Sequence, residues 1–191
     1  RPADSGGGGW PGTFTDAAAA VDHVSTLADD HPIDPGRLVT VGHSSGAVLA
    51  LWAAARVGLP ADAPGADPVV RPRGAVSLSG VVNLAAASIA RLHDGAVDDL
   101  MGATATDDPD QRYLLASPIQ RLPLGVPTLL THGADDAIVP ATQSRAFVDR
   151  AREAGDESDL EVTGTVDHFA ALDPSSQAWE AAGEWIDGRL D

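Results

Sequence analysis

Hydrophobic positions along the chain follow two different patterns. Apolar residues at 21, 24 and 27 recur at helical spacing and predict a helix over about residues 15–30, which Thr13 or Thr15 can cap. Four short apolar runs lack this spacing and are typical of strands buried on both faces. We predict these strands over residues 37–42, 74–80, 126–131 and 160–165.

The stretches between these runs favour helices. Residues 45–57 carry no charge before Arg56, which suits a helix packed closely on a sheet. Further helices are predicted over residues 84–92, 94–101, 142–154 and 174–190. Strands that alternate with helices pair in parallel, so we expect an α/β fold with a doubly wound, three-layer α/β/α sheet. We expect residues 1–191 to form one domain, with 81–122 as a short helical excursion.

Composition removes several classes of function. The 191 residues carry 12 basic against 28 acidic side chains, a net charge of −16, which argues against nucleic acid and anionic membranes as partners. The absence of Cys excludes disulfides and thiolate chemistry. We see no apolar run of membrane-spanning length and no signal-peptide pattern. The sequence leaves the compartment open.

A serine motif lies at the end of the first predicted strand. The sequence Gly42-His43-Ser44-Ser45-Gly46 has the form G-x-S-x-G at a strand-to-helix turn. Such a bend exposes the serine hydroxyl, and we expect the two flanking glycines to relieve the crowding it creates. The alternative interpretation is an ordinary glycine-rich junction.

A serine nucleophile needs a base and an acid that orients the base. Asp135 and Asp136 follow the third predicted strand, and His168 follows the fourth. Because the carboxyl ends of parallel strands meet at one edge of a sheet, these side chains can converge with Ser44.

Three separated segments resemble the α/β-hydrolase family, in its prolyl oligopeptidase-like and kynurenine-formamidase-like esterase branch. They are the serine motif, the run from His132 through Asp136 to Pro140, and Asp167-His168-Phe169. Ala116-Ser117-Pro118 resembles a further element of that branch.

The resemblance implies a serine hydrolase that cleaves a carboxylic ester or small amide through an acyl-enzyme. It implies Ser44 as nucleophile, His168 as base, Asp136 as acid and the backbone amide of Ser45 as an oxyanion donor. No cofactor and no metal are implied. The alternatives are an exopeptidase of the prolyl oligopeptidase type and a truncated, weakly active or non-catalytic binding module.

Other residues compete for these roles. Asp135 could be the acid, and His168 could be a solvated loop residue. His43 and His132 could each be the base, although the resemblance implies that they shape the site. We expect the Ser79 hydroxyl to bond to the backbone. We interpret three acidic residues as a solvated turn rather than a cation loop: Asp107, Asp108 and Asp110.

The glycine run at residues 6–9 is a candidate for the second oxyanion donor. It lies only 35 residues before Ser44, so we interpret it, with Trp10, as the entry to the first helix. The resemblance then places the oxyanion loop before Arg1 and leaves strand 37–42 at an open sheet edge. An open edge favours association, so we expect a homo-oligomer or a complementing chain there.

Overall fold

The computed structural model describes residues 8–108, 110–164 and 167–190. Four strands form one parallel sheet in the order β1-β2-β3-β4. The strands are β1 (Val39–His43), β2 (Gly74–Leu78), β3 (Thr128–Gly133) and β4 (Ser158–Thr163). All four predicted strands are confirmed, with ends shifted by up to two residues. The expected α/β class is confirmed as well.

Seven α-helices connect and cover these strands within the described residues. They are α1 (Gly12–Asp30), α2 (Ser45–Ala55), α3 (Leu84–Ile89), α4 (Ala96–Met101), α5 (Arg112–Ala116), α6 (Thr142–Glu153) and α7 (Gln177–Leu190). Helix α5 was not predicted, because its five residues are too few to show a helical period. None of the described helices is both long and apolar enough to cross a bilayer.

The helices lie on both faces of the sheet. Leu51 of α2 and Phe147 of α6 pack with Ala75 and Leu130 on one face. Ala182 of α7 packs on the other face. The small side chains of α2 allow close approach, and eight of its eleven residues are buried. Both faces of the central strands are thereby removed from water, as continuous apolar runs require.

Helix α1 begins earlier than predicted. Its first residue is Gly12, so Thr13 and Thr15 lie inside the helix and neither is its cap. Pro11 precedes the first turn, and the fixed φ of proline suits a helix start. Gly9 and Trp10 lead directly into α1, which confirms the expected helix entry for the described part of the glycine run. Gly6 and Gly7 lie outside the described residues.

Strand β1 lies at an edge of the sheet formed by the described residues. Every residue of β2 and β3 is buried, whereas β1 is only partly buried and Val41 is 38% exposed. The open edge expected from the sequence is thus present in the described part of the chain. The homo-oligomer or complementing chain expected there stays a prediction.

An ion pair joins α1 to the residue that follows α2. Both guanidinium ends of Arg56 donate to the carboxylate of Asp22, at 3.1 and 2.6 Å, and Arg56 Nε donates to the carbonyl of Gly65. Arg56 is 1% exposed. Loss of the carboxylate would leave a buried cation without its counter-charge, which costs far more than loss of a surface pair.

We therefore expect Asp22→Asn to lower the free energy of unfolding by about 3 kcal/mol. Urea denaturation measures the change. Glu153→Gln is the matched control, since it breaks the exposed pair with Arg150 and should cost less than about 0.5 kcal/mol. Equal effects of the two substitutions would contradict a structural role for the buried pair.

Candidate active site

Ser44 occupies the sharp turn between β1 and α2. Its backbone has φ 55° and ψ −118°, a conformation that non-glycine residues rarely adopt. The amide of Ser44 donates to the carbonyl of Leu78 at 2.9 Å, and the carbonyl of Ser44 accepts from Val81. Bonds to the end of the neighbouring strand therefore hold the strained turn in place.

The two glycines of the motif differ in their surroundings. A Cβ on Gly42 would lie 2.2 Å from the carbonyl oxygen of Gly46 and 2.7 Å from the amide nitrogen of Ala47. A Cβ on Gly46 would meet no described atom within 4 Å outside its own helix turn. The expectation that both glycines relieve crowding holds for Gly42 and is wrong for Gly46, because strand and helix approach only on the Gly42 side.

Three predicted side chains lie in one row. The Ser44 hydroxyl is 2.9 Å from His168 Nε2, and His168 Nδ1 is 2.8 Å from Asp136 Oδ2. Since a carboxylate only accepts, His168 Nδ1 donates to Asp136, and in the neutral ring Nε2 is left to accept from Ser44. His168 is 3% exposed, so it is not a solvated loop residue.

Asp136 is a buried carboxylate with several donors. Its Oδ1 accepts from the amides of Ile138 and Val139, at 2.9 and 2.8 Å. Burial by itself raises the pKa of Asp136, but the hydrogen bonds from His168 and these amides outweigh it and hold the pKa below its usual value. Asp136 therefore stays ionised at neutral pH. The neighbouring Asp135 is exposed, and no described hydrogen bond joins it to His168.

The loop that carries His168 is fixed from two sides. Asp167 Oδ1 accepts from the amides of Phe169 and Ala170, which closes the turn after His168. His43 lies on the other side, where its Nε2 is 2.8 Å from the carbonyl oxygen of His168 and the two rings are 4.6 Å apart. His43 thus contacts the backbone of His168, while His168 contacts Ser44.

The second alternative base, His132, lies behind Asp136. It is 1% exposed, and its ring nitrogens contact the Ser144 hydroxyl and the carbonyl of Val139. Both nitrogens are therefore engaged away from Ser44. Burial lowers the pKa of His132, and the neutral ring persists at neutral pH.

A cavity of about 1320 Å³ opens in front of Ser44. Its wall is mostly apolar and comes largely from the excursion between β2 and β3. Trp10 donates its amide hydrogen to the carbonyl of Leu100, so the segment before α1 contacts this wall. The apolar lining residues include Leu84, Leu92, Val97, Leu100, Ile138 and Leu172.

Three polar lining residues were not among those predicted for the site. His93 has a left-handed backbone and lines the cavity. Asp98 and Asp99 also line it, and Asp98 Oδ1 accepts from the hydroxyls of Ser88 and Tyr113. These residues form no motif with Ser44 along the chain, and only the packing of α4 brings them to the site.

Other candidate residues have local roles. The hydroxyl of Ser79 is buried without a hydrogen-bond partner in the described residues, so its expected bond to the backbone is not formed. Asp108 accepts from the amides that begin α5, and Asp110 pairs with Arg112. Within the described ranges, no cluster of three or more His, Asp or Glu residues is arranged to hold a metal ion.

A match to a sequence-family model shows which family the chain belongs to. The sequence model of the BD-FAE family matches residues 5–150, about three quarters of the chain. The chain belongs to the BD-FAE family. The match includes Ser44 and Asp136, and His168 lies beyond its end. Together with the fold, this confirms the α/β-hydrolase resemblance drawn from the sequence motifs.

Two relatives of this BD-FAE chain come from Mycobacterium tuberculosis. The esterase LipQ is 33% identical in an alignment of 154 residues that covers 76% of this chain and 35% of LipQ. The probable carboxylic ester hydrolase LipM is 29% identical in an alignment of 153 residues that covers 75% of this chain and 34% of LipM. The chain therefore spans about a third of the length of these relatives.

Solved structures share the same fold. An acetyl ester-xyloside bifunctional hydrolase from Caldicellulosiruptor lactoaceticus has a TM-score of 0.73 and 24% identity, over 94% of this chain and 66% of that protein. The carboxylesterase Cest-2923 from Lactobacillus plantarum has a TM-score of 0.75 and 18% identity, over 95% and 70%. At these identities the likeness establishes the α/β-hydrolase fold of the BD-FAE chain.

The different surroundings of Gly42 and Gly46 lead to a testable prediction. We expect Gly42→Ala to prevent folding or to lower Tm by many degrees, because the added Cβ collides with the backbone of α2. Gly46→Ala is the matched control in the same motif and should leave Tm within a few degrees of the native value. Thermal unfolding followed by circular dichroism measures both, and a native Tm for Gly42→Ala would refute the close approach.

Proposed function

We propose that this chain hydrolyses carboxylic esters through an acyl-enzyme formed on Ser44. The observation that carries the proposal is the continuous hydrogen-bonded row from the Ser44 hydroxyl through His168 to the buried carboxylate of Asp136. Nucleophile, base and orienting acid in this geometry define serine hydrolase chemistry on any fold.

The chemical steps follow from the row. His168 Nε2 takes the hydroxyl proton as Ser44 Oγ attacks the ester carbonyl carbon and forms a tetrahedral intermediate. Asp136 stabilises the resulting imidazolium and holds its orientation. The imidazolium then gives the proton to the departing alcohol, and the carbon–oxygen bond to that alcohol breaks. Water repeats the sequence on the acyl-enzyme, releasing the acid and restoring Ser44.

The amide of Ser45 is the first proposed oxyanion donor. Ser45 is the first residue of α2, and the first amides of a helix have no carbonyl partner inside it. The positive end of the helix dipole adds to the attraction for negative charge at this point. A second donor from a loop before Arg1 stays a prediction.

The acidic residues in the lining of the cavity disfavour anionic substrates. Asp98 and Asp99 are the charged side chains among the described lining residues, and no arginine accompanies them there. An anionic acyl or alcohol group would meet like charge in a cavity that partly excludes water. We infer that neutral, small esters or amides bind better than anionic ones.

The relatives favour ester over peptide cleavage. LipQ is named an esterase and LipM a probable carboxylic ester hydrolase. Peptide hydrolysis by this chain is the alternative, and comparison of an acetyl ester with an aminoacyl anilide of the same leaving-group type distinguishes the two.

Replacement of the nucleophile gives the direct test. We expect Ser44→Ala to lower kcat for p-nitrophenyl acetate by at least about 10³-fold, since removal of a triad member leaves only the remaining stabilisation of the transition state. The circular dichroism spectrum should not change. Ser45→Ala is the matched control, because it keeps the proposed backbone donor.

A fluorophosphonate probe separates an enzyme from a binding module. The native protein should be labelled on Ser44 and the Ser44→Ala variant should not. A folded protein that neither turns over the ester nor reacts with the probe would favour the non-catalytic module.

The adjacent aspartates test the orienting acid. We expect Asp136→Asn to lower kcat by about 10⁴-fold, because a neutral amide no longer holds the imidazole in the reactive tautomer. Asp135→Asn, one residue away and exposed, should change kcat by less than about twofold. Steady-state kinetics on both variants measures the difference, and a larger loss for Asp135→Asn would reassign the acid.

A further inference from the structure

A second histidine stands behind the proposed acid. The edge of the His132 ring that carries Nε2 faces the carbonyl oxygen of Val139 at 2.8 Å and Asp136 Oδ2 at 3.4 Å. A carbonyl and a carboxylate both only accept, so Nε2 must carry a hydrogen. The side chain of His132 is fully buried, and water does not compete for these contacts.

The opposite ring nitrogen fixes the orientation of His132. Nδ1 lies 2.7 Å from the hydroxyl of Ser144, a residue of α6 that is 0% exposed. In a neutral ring with Nε2 protonated, Nδ1 accepts, so Ser144 donates to it. Burial lowers the pKa of His132, which agrees with a neutral ring. The charged or titratable groups whose fields reach this ring are Asp136, His168 and Arg145.

Two links lead from His132 to Asp136. The direct link is the Nε2–H dipole, which faces Oδ2, the same oxygen that accepts from His168. The indirect link passes through Val139, whose carbonyl is held by His132 and whose amide donates to Asp136 Oδ1 at 2.8 Å. Both carboxylate oxygens therefore depend on the position of one buried ring.

We propose that neutral His132, protonated at Nε2 and oriented by Ser144, is a positioning residue for Asp136. This inference rests on the proposed function, since it assigns the ring to the alignment of the Asp136–His168 pair. His132 touches neither Ser44 nor the substrate cavity in the described structure. Its effect reaches the reaction only through Asp136.

The tautomer can be measured without any activity. In protein labelled with ¹⁵N-histidine, we expect one buried histidine that is neutral and protonated at Nε2 at pH 7, and whose resonances change in Ser144→Ala. A ring protonated at Nδ1, or a charged ring at that pH, would overturn the proposal. The low-field proton between His168 and Asp136 should also shift in Ser144→Ala.

Kinetics tests the consequence for catalysis. We expect Ser144→Ala to lower kcat on the order of tenfold with little change in KM, because a small misalignment of the pair slows the chemical step without touching the cavity. The acidic limb of the pH–rate profile should also move, because that limb reports proton uptake by the coupled Asp136–His168 pair, whose alignment changes. Ser144→Thr keeps the hydroxyl and should restore most of the rate.

A matched control distinguishes positioning from general loss of stability. Ser158→Ala removes another buried serine hydroxyl, one that accepts from Thr128 far from the row, and should leave kcat and the pH profile unchanged. His132→Gln, which keeps an N–H donor, should retain more activity than His132→Phe.

Failure of the positioning role of His132 and failure of the proposed function give different results. If the native protein turns over ester but Ser144→Ala matches it in kcat and pH profile, the positioning role is wrong and the proposed function stands. If the native protein is inert while the tautomer is as expected and the low-field proton shifts, the proposed function fails and the structural link stands.

Discussion

The close approach of strand β1 to helix α2 is the constraint on which the site depends. At Gly42 the backbones of the two elements are so near that no side chain fits between them. The chain must then turn sharply at Ser44, in a backbone conformation that non-glycine residues seldom adopt. This turn places Ser44 at the cavity and the first amide of α2 directly after it. The small residues of α2 make the approach possible.

A buried negative charge is the second constraint. Asp136 loses hydration in the interior and regains hydrogen bonds from two amides and from His168. Such a group is stable only while its donors are in place, because an unpaired buried charge is costly. The residues that donate to Asp136 are therefore held in place because the folded state needs their hydrogen bonds. The same contacts align His168. Stability and proposed chemistry share one set of contacts.

The open sheet edge and the cavity are consequences of the same topology. Parallel strands bring all their carboxyl ends to one side, so the loops that follow β1, β3 and β4 meet there. The excursion between β2 and β3 leaves the sheet and returns over that side as a mostly apolar wall. Strand β1, which leads into Ser44, is also an edge strand: one of its sides has no described neighbouring strand, and it stays partly exposed.

The sequence by itself determined the strands, the main helices and the order of Ser44, Asp136 and His168, because hydrophobic period and local turn chemistry are written along the chain. It left Asp135 and Asp136 as rivals, since adjacent side chains point differently and only the closed fold decides which reaches His168. The expected crowding at Gly46 and the expected start of α1 were wrong. Both depend on how backbone segments approach one another in the folded chain. The roles of His43, His132 and the cavity residues of α4 depend on contacts between distant segments. Tertiary packing alone decides these, because a hydrogen bond across 125 residues leaves no trace in local periodicity.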